Sequence, residues 1–245
     1  MATNSTPEEI FKFFQRGQKR KPEDESTIYQ FFSQSEDPDA KILSNFHVGE
    51  KITVTINRKE ATANSVEALF QYAKYQYATR TDATIIFYPE TILTMAPGDA
   101  KSNGGRGGMK KNGYELNKKN IEIWNAASLT IMKTIVAARF AQDKKFKQVL
   151  IDTGDKHLLH FSRFDKIWGG LIPKGMDKIV KNINGANKLG EILMELRDSN
   201  PNPAPSKSLL DMEWLEYECE CGHLFLAGDA AENVVCPSCA FVLVG

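Results

Sequence analysis

The sequence predicts an α+β protein in which helices predominate, followed by a small C-terminal minidomain. Long segments repeat apolar residues at intervals of three and four, as one face of a helix does, whereas only short segments alternate like half-buried strands. After Asp198 the composition changes abruptly to a proline-rich stretch, and every cysteine lies beyond it. We therefore divide the chain into an N-terminal extension (1–39), a main domain (40–198), a linker (199–210) and a minidomain (211–245).

Length and charge restrict the possible classes of protein. The chain has 245 residues, enough for one sizeable core, and its 31 basic and 31 acidic residues give a formal net charge of zero. This balance argues against a whole-molecule electrostatic grip on nucleic acid but does not exclude local basic patches. No apolar run reaches the roughly 18 residues of a membrane span, and the N-terminus lacks the order of a signal peptide. We expect an intracellular protein, cytoplasmic or, in a eukaryote, nuclear.

The first half of the chain predicts two helices and one or two short strands. A short helix is expected over about 7–16, followed by an irregular lead-in. The segment EKITVTINRK has the period of a strand with one buried face, at Ile52, Val54 and Ile56. A helix follows in SVEALFQYAKYQYA, with Ser65 as its N-cap. The run TIIFY (84–88) predicts a second short strand or a buried segment.

The second half begins with a glycine-rich segment, 97–114, which can hardly be regular throughout. A long helix is predicted from about Asn117 to Gln142. Its apolar face contains Ile121, Trp124, Ala127, Ser128, Ile131, Ile135 and Ala138. A short amphipathic turn or helix ending at Gly154, a strand in HLLHFS and a last helix in GANKLGEILMELRDS complete the main domain.

The four cysteines form two close pairs that indicate a metal site. Cys219 and Cys221 lie in CECGH, and Cys236 and Cys239 lie in CPSC, with fourteen residues between the pairs. Four thiolates in this arrangement suit tetrahedral zinc, and His223 could replace one ligand. Because about 35 residues cannot build a sufficient core alone, a structural zinc would supply most of the folding energy of such a ribbon. Two disulfides, or free thiols, are the alternative.

The predicted zinc ribbon carries an excess of acid, at Glu216, Glu218, Glu220, Asp229 and Glu232. This charge argues against direct binding of phosphate by the ribbon. A structural role, or docking to another protein, is at least as well supported as contact with nucleic acid.

A line of polar residues runs along one edge of the helix in NSVEALFQYAKY. Glu67, Gln71 and Lys74 stand at positions i, i+4 and i+7, beside an apolar face. They form either a solvated flank or the working edge of a pocket. A carboxylate in the first turn also interacts favourably with the helix dipole, so the pattern alone favours the solvated flank.

Seven short motifs follow one another along the main domain: LSNF (43–46), SVEALFQYAKY, APGDAKSNGGRGG (96–108), IEIWNAASLTIMKTIVAARFAQ, LIDTG (150–154), DKIWGG (165–170) and GANKLGEILMELR. In this order and spacing they resemble the NADAR family (NAD- and ADP-ribose-associated), the YbiA-like proteins. The resemblance covers about residues 40–198. Each motif alone is weak, whereas the ordered set is specific.

The resemblance implies cleavage of an N-glycosidic bond through a lysine Schiff base, with no cofactor in the chemistry. Ribose on an exocyclic amine can open to an imine, after which a lysine amine takes the sugar by transimination and water releases it. Lys74 matches the lysine of the family. Glu67 is the expected proton shuttle or ribose-hydroxyl ligand, and Asp165 is the alternative acid.

This chemistry places physical demands on Lys74. Partial burial must lower its pKa so that some free amine exists, and a proton shuttle must lie within about 3 Å, directly or through one water. Glu67 is two helical turns away, roughly 10 Å along the axis, so direct contact with Lys74 is not assumed.

The motifs also supply predicted substrate-binding residues: Asn45 and Asn187 for ribose hydroxyls, Lys101 and Arg106 for phosphate, Trp124 and Trp168 as stacking faces for a base, and Gly169 next to Trp168. Isolated tryptophans are more often core residues, and a glycine cluster such as GGRGG is usually only a loop. No phosphate-loop pattern is present. His47, His157 and His160 lack metal-ligand spacing and are interpreted as structural.

Three functions are consistent with these residues. The first is an N-glycosidase that removes ADP-ribose from guanine in DNA or RNA. A second has the same chemistry but acts on a phosphorylated ribosylamino-pyrimidine of riboflavin synthesis. The third is a module that binds ADP-ribose or NAD without turnover, and the presence of both Lys74 and Glu67 argues against it.

Overall fold

The computed structural model describes residues 27–199 and four C-terminal strands, at 214–218, 224–228, 233–235 and 242–244. The helix predicted over 7–16, nearly all of the linker and all four cysteines lie outside the described residues. The chain divides into two compact units, residues 1–202 and 203–245, which are considered separately.

Helices dominate the described part of the first unit, as the sequence predicted. They are α1 (Pro38–Leu43), α2 (Val66–Tyr75), α3 (Pro97–Gly104), α4 (Arg106–Lys111), α5 (Lys118–Gln142), α6 (Lys144–Asp152) and α7 (Lys188–Asp198), with 3-10 turns at Pro89–Thr94 and Val180–Asn182. None of the described helices is both long and apolar enough to span a membrane.

Strands in this unit pair only two at a time. Parallel β1 (Ile28–Phe31) and β6 (His157–His160) form one pair, and antiparallel β4 (Thr79–Arg80) and β5 (Tyr114–Glu115) form a second, very short pair. The third pair is the hairpin of β2 (Ile52–Ile56) and β3 (Lys59–Ala63). The mixed class with few short strands is therefore confirmed.

The sequence analysis predicted β2 but not β3, and the turn between the two strands shows why. Ile56 pairs with Lys59, and the two residues between them, Asn57 and Arg58, have φ values of 49° and 65°. A two-residue turn with both φ positive matches the twist of a hairpin and is usually signalled by Asn-Gly. Because arginine occupies the second position here, the sequence carried a weak turn signal.

Helices α2 and α5 run through the core. On α5 the predicted apolar face is buried at Trp124, Ile131 and Ile135, whereas Ile121 at its N-terminal end is 43% exposed, contrary to the prediction. Asn117 caps this helix by accepting from the backbone N–H of Asn120 at 2.9 Å. The first turn of α5 therefore projects past the core that buries the rest of the helix.

Residues 84–88 do not form the predicted strand. No described strand pairs with them, and the alternating pattern instead presents Ile86 and Tyr88 to solvent at 80% and 66% exposure. Phe87 contacts the ring of Tyr75, with 5.5 Å between centroids. The Phe87 ring also contacts Tyr114, and Arg80 donates to the carbonyl of Ile85, so side-chain contacts rather than a ladder of backbone hydrogen bonds anchor the segment.

The glycine-rich segment 97–114 is more regular than expected, since it forms α3 and α4. Pro97 begins α3 at a position where its missing N–H costs nothing. A Cβ at residue 108 would lie 2.2 Å from the carbonyl oxygen of Ser102, so glycine lets the two helices pack closely. The glycines here serve packing of helices as well as turns.

A buried ion pair ties the end of α5 to its surroundings. Arg139 is 2% exposed, and its guanidinium donates to Asp143 Oδ2 and to the carbonyl of Ser44, both at 3.2 Å, while lying 4.1 Å from the ring centroid of Phe146. Burial lowers the pKa of Arg139 to about 10, and the charge of Asp143 opposes this shift. Asp143 also caps α6 through the N–H of Phe146.

The second unit contributes two antiparallel hairpins, β7 (Trp214–Glu218) with β8 (Leu224–Gly228) and β9 (Asn233–Val235) with β10 (Val242–Val244). Glu218 pairs with Leu224 and Val235 with Val242. In the sequence, one cysteine pair therefore falls between the paired ends of each hairpin.

Candidate active site

Helix α2 is the structural basis of the site. Ser65 caps it by accepting from the N–H of Ala68 at 3.2 Å, so the helix begins where the sequence predicted. Every residue from Val66 to Tyr75 is buried except Lys74, which is partly exposed. The polar line of Glu67, Gln71 and Lys74 is therefore enclosed by the protein and is not a solvated flank.

Glu67 is a buried carboxyl, only 6% exposed. Its Oε1 accepts from Gln71 Nε2 at 2.9 Å, and its backbone N–H donates to the carbonyl of Asn45 at 3.0 Å. Burial raises the pKa of Glu67, while the Gln71 hydrogen bond and the charges of Lys101 and Lys74 oppose the rise. A raised pKa brings proton exchange at this carboxyl closer to neutral pH than at an exposed glutamate, the direction that a shuttle needs.

Lys74 extends from the last turn of α2 toward the end of α3. Its Nζ donates to the carbonyl oxygen of Gly104 at 2.7 Å. Burial lowers the pKa of Lys74, and the charge of Glu67 works against this effect. Among the ion pairs of the described residues, none joins Lys74 to Glu67, in agreement with their expected separation. The amine is thus held in place with its pKa shifted toward the free form.

Lys101 and Asp165 add one charge of each sign around Glu67. Lys101 is exposed, and its Nζ lies 5.2 Å from the ring centroid of Phe46. Asp165 further raises the pKa of Glu67. Its Oδ1 accepts from the backbone N–H of Trp168 at 2.9 Å, which fixes the turn that carries it. Both residues, predicted from separate motifs, therefore lie within electrostatic reach of one carboxyl.

The two predicted tryptophans meet at a shared aromatic neighbour. The ring centroid of Phe70 lies 5.0 Å from that of Trp124 and 5.3 Å from that of Trp168. Trp124 is 7% exposed and packs as a core residue, whereas Trp168 is only half-buried. Of the two, Trp168 is the side chain with a surface that a base could approach.

Asn187 and Gly169 hold backbone segments together in this structure. Asn187 is 4% exposed; its Oδ1 accepts from the N–H of His160 at 3.0 Å, and its Nδ2 donates to the carbonyl of Leu158 at 2.8 Å. A Cβ at residue 169 would lie 2.5 Å from the carbonyl oxygen of His160. These contacts occupy the amide that was predicted to bind a ribose hydroxyl.

Asn45 and Arg106 differ in accessibility. Asn45 is 7% exposed and its Nδ2 lies 3.5 Å from the sulfur of Met132, while Arg106 is exposed in the first turn of α4.

His160 stacks on Phe31 at 5.3 Å between centroids, and burial lowers its pKa, which fits the structural role predicted for it.

Sequence reasoning missed a set of contacts that fastens α3 to α2. Tyr75 donates from its hydroxyl to the carbonyl of Asn103 at 2.9 Å, and Asn112 donates to both Tyr75 and Asn103. The neighbouring carbonyl, that of Gly104, holds Lys74. No periodic pattern could have indicated these contacts, because those that reach α2 join residues 28 to 37 positions apart.

These observations define a helical α+β domain with a buried carboxyl and a partly buried lysine at one site. Residues 31–199, more than half of the chain, match the NADAR domain. The chain therefore belongs to the NADAR family, as its motifs predicted.

The proteins to which this chain is similar include a viral N-glycosidase and a bacterial protein of known structure. One is an N-glycosidase of Acanthamoeba polyphaga mimivirus, with 32% identity over 90 residues, or 36% of this chain and 53% of that protein. The chain thus spans about half the length of this curated relative. The other is the E. coli protein YbiA, whose NMR structure matches with 24% identity over 73% of this chain and 86% of that chain, at a TM-score of 0.47.

Proposed function

We propose that this protein is an N-glycosidase that releases ribose from an exocyclic amine, with Lys74 as the nucleophile. The observation that supports this most directly is a partly buried lysine amine, held by the carbonyl of Gly104, on the same helix as the buried carboxyl of Glu67. Burial lowers the pKa of the Lys74 amine and raises that of the Glu67 carboxyl. An amine nucleophile and a proton shuttle need shifts in these directions.

The reaction follows from the chemistry of the proposed substrate. The N-riboside opens to an imine between sugar C1 and the exocyclic nitrogen. Neutral Lys74 Nζ adds to C1, and the bond from C1 to the exocyclic nitrogen breaks as that nitrogen leaves protonated. Water then adds to the Lys74 imine, the C1–Nζ bond breaks, and free sugar and amine are restored. Glu67 donates and accepts the protons that move during formation of the Lys74 imine and during its hydrolysis.

We infer that the sugar carries phosphate, and that ADP-ribose on guanine in nucleic acid is the substrate. Between residues 97 and 111 the chain has four basic residues, Lys101, Arg106, Lys110 and Lys111, against the single acid Asp99, a local net charge of +3 in a chain of net zero. Lys101 lies within electrostatic reach of Glu67, so one of these cations adjoins the proposed chemistry. A pyrophosphate suits such a cationic border.

The substrate assignment is tested by comparing two substrates side by side. ADP-ribosylated guanosine should release ADP-ribose, and a ribosylamino-pyrimidine phosphate should react more slowly. A preference for the pyrimidine would identify the metabolic alternative. Tight binding of ADP-ribose without release from either compound would identify a binding module. Borohydride added with substrate should leave a sugar adduct on Lys74, and its absence would contradict the Schiff base.

We also propose that the second unit binds one structural zinc through Cys219, Cys221, Cys236 and Cys239. Support comes from the two hairpins, since each brings together the ends of a segment that contains one cysteine pair. Two such segments can supply the four ligands of a tetrahedral site. Metal analysis of purified protein should find about one equivalent of zinc, as expected for a single four-ligand site. A protein that folds with none would refute the site.

A further inference from the structure

Gln71 lies between the two proposed catalytic groups, one turn after Glu67 and one turn before Lys74. The side chain is 7% exposed, and its Nε2 donates to Glu67 Oε1 at 2.9 Å. Its own Oε1 is buried and has no hydrogen-bond partner among the described residues. A buried carbonyl oxygen without a donor is unfavourable, so the orientation of this amide needs an explanation.

The ionisation of Glu67 explains that orientation. An ionised carboxylate can only accept hydrogen bonds, so Gln71 must present its NH₂ group to it. A hydrogen bond to a charged group is about twice as strong as a neutral one, which compensates for the unpartnered oxygen. If Gln71 served packing alone, an unbranched apolar side chain of similar length would fill the space without that cost.

The other side of Gln71 contacts the backbone that holds Lys74. A Cβ at residue 104 would lie 2.0 Å from Gln71 Oε1, so only glycine lets the end of α3 rest on this side chain. The carbonyl oxygen of the same Gly104 accepts from Lys74 Nζ at 2.7 Å. Gln71 thus hydrogen-bonds to Glu67 and also lies against the glycine whose carbonyl holds Lys74.

We propose that Gln71 is a positioning residue that keeps Glu67 ionised and oriented and, through Gly104, fixes the place of the Lys74 amine. The inference rests on the proposed N-glycosidase function. The other charged groups that act on Glu67 are Lys74 on the same helix, Lys101 on α3, and Asp165 on the turn before Trp168. None of these is removed by a change at Gln71, so the effect of its amide can be isolated.

The first test is the pH dependence of kcat/KM for a Gln71→Met variant. Methionine keeps the length of the side chain but cannot donate to Glu67. The acid limb of the profile should move to higher pH by on the order of one unit, because the ionised form of Glu67 loses its donor. Gln71→Glu, which matches the native shape and adds a like charge, should move the limb further in the same direction.

The matched control is Gln148→Met. Gln148 also donates from Nε2 to a carboxylate one turn away, Asp152 Oδ1 at 2.7 Å, but both residues lie on the exposed face of α6. Its removal should leave the pH profile unchanged.

The second test concerns the contact with α3. In Gly104→Ala the new Cβ should push the side chain of Gln71 away from α3 and displace the carbonyl of residue 104, to which Lys74 Nζ donates. Borohydride trapping of Lys74 should therefore slow at least tenfold. Gly98→Ala is the control, because a Cβ at residue 98 of the same helix meets nothing within 4 Å.

The outcomes separate the two proposals. If the parent cleaves substrate while both Gln71 variants keep its pH profile, the positioning role is wrong and the N-glycosidase function stands. If the parent neither cleaves nor forms the adduct, the proposed function fails and this inference fails with it. Should Gln71→Met not fold, the near-isosteric Gln71→Glu decides the question alone.

Discussion

Arg139 and Lys74 both place a basic side chain inside the first unit, but the groups that surround the two side chains support a positive charge to different extents. Arg139 has a carboxylate, a backbone carbonyl and an aromatic ring directly around its guanidinium. Lys74 has one carbonyl, and Glu67 acts on it without forming an ion pair. Direct pairing opposes the loss of the Arg139 charge, whereas the charge of Lys74 has weaker support and burial lowers the pKa of its amine. Losing the Arg139 charge would leave Asp143 buried without its partner, whereas the neutral form of Lys74 is the nucleophile that we propose.

The largest expected effect is on Lys74. Lys74→Met should lower the rate of sugar release by about 10⁴-fold or more, because it removes the amine that we propose forms the imine with sugar C1. The same variant should be slightly more stable than the parent, by about 1 kcal/mol, since it removes a poorly supported buried charge. Activity and thermal unfolding measured on the same sample check both. A variant with reduced stability would show that Lys74 is as well paired as Arg139.

Arg139→Met should have the opposite effect to Lys74→Met, a loss of stability without a loss of activity. Loss of the guanidinium leaves Asp143 buried without its partner, and breaking such a pair costs about 3–5 kcal/mol of unfolding free energy. Denaturant unfolding measures this loss, and the activity of the molecules that stay folded should match the parent. A specific loss of activity without a loss of stability would assign Arg139 to the active site.

Glu67→Gln should reduce kcat by about 10²-fold, the usual contribution of a general acid–base group. Glutamine keeps the size of the side chain, so folding and substrate affinity should change little. If Asp165 is the proton shuttle instead, Asp165→Asn will show the larger loss when the two variants are compared under the same conditions.

Lys101→Ala should raise KM for an ADP-ribosylated substrate by about tenfold and leave kcat nearly unchanged, as expected for a charge-assisted contact to phosphate. Lys145→Ala is a suitable control, because Lys145 is also exposed but pairs with Asp39 at 3.8 Å on the α1–α6 side. Equal effects of the two substitutions would remove Lys101 from the site.

The smallest effect is the dependence of stability on pH. The pKa of Lys74 is lower in the folded protein than in the unfolded chain, so the folded state binds its proton less tightly. The parent should therefore gain stability relative to Lys74→Met as the pH rises from that lowered pKa toward about 10.4, the ordinary value for lysine. Unfolding curves of both proteins at several pH values measure the difference, and a constant difference would contradict the shift.

Prediction from sequence worked best where the signal was local and long. Helices α2, α5 and α7 were predicted because each repeats apolar residues over several turns, and Ser65 was identified as a cap from its place before such a run. The prediction of a short strand or a buried segment at 84–88 was wrong, because an apolar run does not show whether a partner strand or a covering layer is present. The 97–114 segment is interrupted at Gly105 and again at Asn112 and Gly113, as its glycines indicated. Its two helices were not predicted, because glycine normally signals turns, although here it allows the helices to approach closely.

The sequence by itself determined the residue types of the site, the helix that carries Glu67 and Lys74, and membership of the NADAR family through ordered motifs. Only the tertiary structure decided that the edge of α2 is buried, since periodicity cannot distinguish a flank covered by α3 from one covered by water. The hydrogen bond from Lys74 to the carbonyl of Gly104 could not be predicted from the sequence either, because every residue has a backbone carbonyl. Burial and long-range contact set the pKa of a side chain, and both depend on what the rest of the chain brings to it.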